Sequence, residues 1–437
     1  MASGELTSLE HHQTSRLRGL VALLAESNAF YRERWAKAGI SAQVADLADF
    51  KARFPFTRKH DLVANQAENP PYGTNLTFPL QRYTRCHGTS GSTGRPLRWL
   101  DTPDSWQWML NHWRRVYEAA GVTSADRVFF AFSFGPFLGF WTAFDAAQQL
   151  GCLCLPGGGL TSLARVRSIL DQKATVLCCT PTYALHLAEV AALEGVDLRA
   201  SSVRRILVAG EPGGSIPATR RRLEQAWQGA TVHDHHGMTE VGPVSYQCPK
   251  HPAVLHVIET SYLAEILEVR TAHATGPGEV GELILTTLGR EGSPLIRYRT
   301  GDLVRAPQQR GCCDCGSWDL ALAGGILGRT DDMVVIRGVN VFPAAVDEVI
   351  RETGGVAEYR AEVQSNGALL ELKVTIEPET GIAAEDAEAT ARRLESAFQT
   401  RLALRIPVLV VETGSLPRFE MKARRWIQTS TPGETSS

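Results

Sequence analysis

Thr175-Val176-Leu177-Cys178-Cys179-Thr180-Pro181 reads as a buried strand running straight into a helix. The first five residues form one apolar run, as in a strand covered on both faces. Pro181 has a fixed φ and lacks the N–H that a first helical turn leaves unpaired, so a helix is expected to open there. The same alternation surrounds it, with strands expected at Val128–Ser133 and Arg205–Ala209 and a helix near Leu163–Gln172. Strands alternating with helices between about residues 126 and 236 predict a parallel sheet with helices on both faces. Ligand sites in such sheets lie beyond the C-terminal strand ends.

On either side the pattern changes. Leu17, Leu20, Val21 and Leu24 follow helical spacing, as do Trp106, Leu110, Trp113 and Tyr117. From Leu263 to Val304 the chain reads strand-turn-strand, with Gly276-Pro277-Gly278 as the turn, which predicts a small antiparallel region. After Gly328 a compact α/β unit restarts, with strands near Met333–Arg337, Arg360–Val363 and Leu370–Ile376 and helices near Pro343–Arg351 and Glu385–Leu402. The expected fold is α/β: a large N-terminal domain (1–328), a small mobile C-terminal domain (329–428) and a disordered Ser/Thr/Pro/Gly tail (429–437).

Bulk properties narrow the partners. Lys+Arg 45 against Asp+Glu 47 gives a formal net charge of −2, so no global field collects nucleic acid or an anionic membrane. The short apolar run Gly19–Ala25 is no secretory signal, and a cytoplasmic location is expected. Val128–Phe144 is too short for a spanning helix and is broken by Gly135, Pro136 and Gly139, so it reads as buried protein. Nine cysteines without an export signal suit reduced thiols or metal ligands better than disulfides.

Four motifs carry chemistry. In His87-Gly88-Thr89-Ser90-Gly91-Ser92-Thr93-Gly94-Arg95-Pro96, glycines free the backbone while hydroxyls and N–H groups face an anion. No Lys follows at Walker A spacing, so this is a polyphosphate nest of another kind. His233-Asp234-His235-His236-Gly237-Met238-Thr239-Glu240 places a hydroxyl beside a carboxylate able to hold Mg²⁺. Tyr298-Arg299-Thr300-Gly301-Asp302 offers an Asp to two ribose hydroxyls. The fourth couples Gly328-Arg329-Thr330-Asp331-Asp332 to Leu416-Pro417-Arg418-Phe419-Glu420-Met421-Lys422. Each alone also reads as a surface turn or a solvated charge; their joint order is harder to explain that way.

In these motifs the chain resembles the acyl-adenylate-forming superfamily, within it the phenylacetate–coenzyme A ligase-like branch, over nearly its whole length. The resemblance implies two steps: a carboxylate attacks the α-phosphate of ATP to give an acyl adenylate and pyrophosphate, then a thiol displaces AMP. Carried over by position, Thr89, Ser90, Gly91, Ser92, Thr93 and Gly94 would hold the phosphates, and Gly210, Glu211, Pro212 and Asp234 would flank adenine. Thr239 would contact the α-phosphate, Glu240 would ligate Mg²⁺, and Asp302 and Arg329 would meet the ribose. Lys422 would be the adenylation lysine, bridging carboxylate and phosphate as charge shifts. Asp331 falls at the family's hinge, and Asn340 near its coenzyme A tunnel, although a turn before a helix is an equal reading for Asn340. His236 stands where the family usually has Tyr, with His235 before it; a histidine there either hydrogen-bonds a substrate substituent or replaces the Tyr in packing.

Seven of the 15 phenylalanines lie between Phe129 and Phe144, with Trp141 among them. Most belong to a core, but Phe134-Gly135-Pro136-Phe137 follows an expected strand end and suits a planar aryl acid. Phe134, Phe137, His235, His236, Gly237 and Met238 are the candidate acyl pocket, for an acid of the anthranilate, benzoate or phenylacetate class, with overall similarity leaning to anthranilate. Cys248, His251, His256, Cys312, Cys313 and Cys315 form two clusters of soft ligands suited to Zn²⁺. The resemblance selects Cys248, His256, Cys313 and Cys315, with His251 competing, as a closed structural site. The expected activity is an ATP-dependent, AMP-forming aryl-carboxylate–coenzyme A ligase using Mg²⁺. Loading of a carrier protein, or non-catalytic nucleotide binding, are the alternatives.

Overall fold

A computed structural model of the chain describes residues 2–89, 96–337, 339–366, 369–419 and 423–429. Its centre is a five-stranded parallel sheet in the order Leu153–Pro156, Arg127–Phe130, Val176–Cys179, Arg205–Val208, Thr231–Asp234. Alternate residues of each strand enter different cores. Val128, Phe130, Val176, Cys178 and Leu207 join one, and Phe129, Leu177, Cys179, Ile206 and Val208 join the other. This two-sided burial is why the strands read as unbroken apolar runs.

The second core is closed by helices Ser162–Asp171, Pro181–Leu193 and Pro217–Ala226. Thr161 and Thr180 cap the first two, accepting from the N–H groups of Ala164 and Tyr183, and Pro181 occupies the first turn as expected. Helices Pro103–Ala119 and Leu138–Gln149 lie on the other face, with the N-terminal helix Ala2–Ser27 sharing the same core. The first strand is shorter than read from sequence: it ends at Phe130, and Phe132 and Phe134 sit in the loop beyond it. There the chain leaves the sheet for the aromatic turn that opens the Leu138 helix.

Strands Tyr262–Leu267, Val280–Thr287, Tyr298–Arg305 and Gly328–Arg329 make the antiparallel sheet expected from the strand-turn-strand pattern. The small C-terminal domain has its own core, built from Ile336 to Trp426 and sharing no residue with the other two. Its sheet runs Val408–Val410, Leu369–Pro378, Val356–Asn366, Trp426–Thr429. The central pair is antiparallel and both outer pairings are parallel, so the sheet is mixed. The two outer strands are too short to announce themselves as periodic runs. Helices Pro343–Thr353 and Ala384–Leu402 contribute Val346, Ile350, Leu394 and Phe398 to that core. Among the described residues no helix is long and apolar enough to cross a membrane. The membrane-like stretch from Val128 is strand, loop and helix, and residues 430–437 of the expected tail lie outside the described residues.

Candidate active site

The glycine-rich motif starts at the end of an antiparallel strand pair. Strands Arg85–Gly88 and Arg98–Asp101 pair from Arg85 opposite Asp101 to Gly88 opposite Arg98. Thr89 extends the pairing: its N–H donates to the Leu97 carbonyl at 3.0 Å and its hydroxyl accepts from the Leu97 N–H at 3.1 Å. Ser90, Gly91, Ser92, Thr93 and Gly94 lie outside the described residues. The Gly88 N–H donates to the Pro136 carbonyl at 2.8 Å, fastening the end of this strand to the aromatic turn.

The hairpin's base is pinned from behind by a residue the motif reading missed. Arg290, fully buried, donates through Nε and one terminal nitrogen to both Asp101 oxygens at 2.7 Å. Its other terminal nitrogen donates to the Thr239 carbonyl at 2.7 Å and the Glu240 carbonyl at 2.9 Å. One guanidinium thus fixes both the Arg85–Asp101 strand pair and the backbone carrying Glu240. In the sequence it is merely an Arg between two apolar strands.

Glu240 is buried, with its Oε1 3.4 Å from Lys59 Nζ. Lys59 opens the helix Lys59–Glu68 and is also absent from the motifs. Asp302 joins two motifs: one oxygen accepts from Arg329 at 2.8 Å and the other lies 2.8 Å from His236 Nε2. His236, read from sequence at the acyl pocket, therefore reaches the carboxylate assigned to the ribose. Arg329 also donates to Asp331, which is exposed. Gly237-Met238 pairs with Gly242-Pro243, and Met238 packs against the first core.

Asp234 ends the last parallel strand and accepts from the Ser215 hydroxyl at 2.6 Å. Burial pushes its pKa up to about 6, opposed by the Ser215 hydrogen bond and the Arg220 charge. A side chain at Gly214 would come within 2.5 Å of the Asp234 carboxyl, so only glycine fits beside it. His235 is buried with its ring edge-on to Trp113 at 4.2 Å. Burial pulls its pKa down to about 3, so the imidazole is neutral, and neither ring nitrogen has a partner among the described residues.

Gly210, at φ +94°, turns the chain after strand Arg205–Val208. The Glu211 carboxylate that follows accepts from the Thr182 N–H and the Ala423 N–H, both at 2.9 Å. Ala423 is next in sequence to Lys422, which itself lies outside the described residues. Asn340 pairs through its backbone with Val335, and its side chain is outside the described residues. Phe134 packs on Phe130, Phe132, Trp141 and Phe144, while Phe137 meets Phe140 edge-on at 5.9 Å.

Away from this cleft, ligand atoms of Cys248, His256, Cys313 and Cys315 lie within 4.8 Å of one another. Cys248 and Cys313 sulfurs are 3.7 Å apart, and His256 Nε2 is 3.4 Å from Cys315. His256 Nδ1 lies 3.1 Å from the Asp319 carbonyl, which leaves Nε2 to face the sulfurs. The competing His251 turns to Asp314 at 3.2 Å, and Cys312 is exposed.

Residues 88–289 match the AMP-binding enzyme family and residues 338–429 the AMP-binding enzyme C-terminal domain. A phenylacetate–coenzyme A ligase of Aromatoleum evansii is 32% identical, over 94% of this chain and 92% of its own length. That of Pseudomonas putida is 30% identical, over 97% and 94%. The chain belongs to the phenylacetate–coenzyme A ligase branch of the AMP-binding enzymes. It is an AMP-forming acid–thiol ligase that works through an acyl adenylate. A solved 2-hydroxyisobutyryl-CoA ligase, 30% identical, superposes with TM-score 0.89 in its postadenylation state with 2-HIB-AMP, over 95% of this chain and 88% of its own. The same enzyme with CoA in its thioesterification state gives 0.72, over 97% and 90%.

Arg290→Met leaves Asp101 buried without its partner and is expected to cost about 3–5 kcal/mol of folding stability. The double variant Arg290→Met/Asp101→Leu recovers part of that loss. Denaturant unfolding measures both; a single-variant loss below about 1 kcal/mol would show that Arg290 is no clamp.

Proposed function

We propose that this ligase activates a planar aryl carboxylate and transfers it to coenzyme A. The observation that carries the reading is the aromatic wall of Phe132, Phe134, Phe140 and Trp141 beyond the strand that ends at Phe130, tied through Gly88 to the phosphate hairpin. Neutral His235 beside Trp113 adds a hydrogen-bonding group and favours an acid with a polar ring substituent, such as the amine of anthranilate.

In this reading the 89–94 nest takes the phosphates, Asp302 takes the ribose, and Glu211 and Asp234 border the adenine. Glu240 would hold Mg²⁺, which neutralises phosphate charge when bound. Its carboxylate is buried and accessible to one flexible ammonium, Lys59, a setting that suits a hard cation. Lys59 would then face the leaving pyrophosphate. Lys422 would bridge carboxylate and α-phosphate during the first step. The higher similarity to the postadenylation relative supports an arrangement in which the small domain presents the Lys422 segment to the large one. The Cys248, His256, Cys313, Cys315 set fits tetrahedral Zn²⁺, and with four protein ligands it would pin two loops rather than take part in chemistry.

Mass spectrometry after incubation with ATP, Mg²⁺ and a panel of benzoates, aminobenzoates, arylacetates and small hydroxy acids, with and without coenzyme A, tests the reading. AMP and an aryl thioester support it; a thioester only from an aliphatic acid overturns the substrate class, and adenylate without thioester points to a carrier protein. Lys422→Ala is expected to slow adenylation by about 10²–10³-fold while sparing thioester formation from supplied adenylate; equal loss of both contradicts its role. Lys59→Met is expected to raise the KM for ATP by about 10- to 100-fold; an unchanged KM removes it from the phosphate site. Metal analysis of protein purified without chelator should find one zinc per chain, and Cys313→Ser should lose it and lower Tm. Zinc-free wild-type protein of unaltered Tm would dispose of the site.

A further inference from the structure

Three groups of polar contacts join the small domain to two neighbouring helices of the large one. On the Pro217–Ala226 helix, Arg222 donates to the Val356 carbonyl at 2.7 Å and pairs with Glu379 at 2.7 Å. On the Pro181–Leu193 helix, Glu189 accepts from Arg418 at 3.2 Å, and Arg418 also binds Glu377. At the start of the same helix Thr182 accepts from Arg425 at 3.3 Å and shares Glu211 with the Ala423 N–H. The small-domain partners come from separate places in its fold: the beginning of one strand, the turn after another, and the segment on either side of Lys422. Such spacing fixes orientation as well as proximity.

We propose that Arg222–Glu379 and Glu189–Arg418 form a latch that selects the arrangement for adenylation, with Glu211 positioning the segment that carries Lys422. The proposal rests on the domain arrangement argued above. Both ion pairs are partly exposed, with side chains between 23% and 44% accessible. Pairs of that kind are individually weak and screened by salt. A contact that breaks in every catalytic cycle must be weak, yet two of them, acting on states close in free energy, shift the population strongly. Neither pair includes a group assigned to nucleotide, acid or metal. Their loss therefore acts through the domain equilibrium and leaves the chemical groups in place.

The test uses the full chain with Arg222→Ala, Glu379→Ala and the charge exchange Arg222→Glu/Glu379→Arg. Pyrophosphate release reports adenylation, and thioester formation from supplied acyl adenylate reports the second step. Each single variant is expected to slow adenylation by about threefold while the second step is not slowed, and the exchange variant to regain much of the lost rate. Amide hydrogen exchange in residues 181–193 and 217–226 should rise in the single variants and fall again in the exchange variant. Equal slowing of both steps, or single variants with unaltered hydrogen exchange, would overturn the latch. The exchange measurement needs no turnover, so it judges the latch even if no acid in the panel is activated, an outcome that counts against the functional reading instead.

Discussion

The Arg85–Asp101 strand pair and the loop that carries Glu240 are tied together by one buried guanidinium. Arg290 is closed off from solvent, and its hydrogen bonds go to Asp101 at the root of the phosphate hairpin and to the carbonyls of Thr239 and Glu240. A buried charge is tolerated when a partner and directed hydrogen bonds compensate it, and Arg290 has Asp101 and four such bonds. An apolar replacement for the pair could match its stability. It could not hold a hairpin and a carboxylate-bearing loop at a fixed separation, because that needs directed bonds from one rigid, planar group. The pair is best understood as a positioning device whose energetic cost is met by the surrounding core.

The half of the site built on the parallel sheet contrasts with the half carried by the small domain. The parallel sheet presents Glu211, Asp234 and the aromatic turn from the ends of strands buried on both faces, so these groups inherit the sheet's stiffness. The small domain has a separate core and meets the large one through polar, partly exposed contacts. Such interfaces break at little cost, as reuse of one cleft for two successive reactions demands.

Legibility followed the same division. Local pattern revealed the parallel strands, the Pro181 helix and the separate C-terminal unit, since each is written in contiguous residues. It also revealed the motifs, which are loops of special composition. What it missed are residues whose meaning comes only from distant partners. Arg290 is unremarkable until Asp101 and Glu240 stand beside it, and Lys59 is one of seven lysines, outside every motif, until its ammonium meets Glu240. The strand ending at Phe130 was read too long because Ala131 and Phe132 are as apolar as the strand itself. Only the turn at Gly135 marked the departure. Trp426–Thr429 was hidden by its brevity and by pairing with a strand some sixty residues earlier.

The paired histidines show how adjacent residues of one loop can meet different partners. His236 and His235 are neighbours in the link between strands Thr231–Asp234 and Gly237–Met238. His236 reaches Asp302, the carboxylate read as the ribose site, while His235 lies against Trp113, whose indole N–H is bonded to Thr142 of the helix that follows the aromatic turn. A tyrosine at position 236 would offer a larger ring and a hydroxyl further from the backbone. Histidine instead places a ring nitrogen at hydrogen-bond distance from Asp302 and shares that carboxylate with Arg329. Histidine at position 236 therefore acts on the orientation of the Asp302 carboxylate, while its neighbour His235 packs against Trp113.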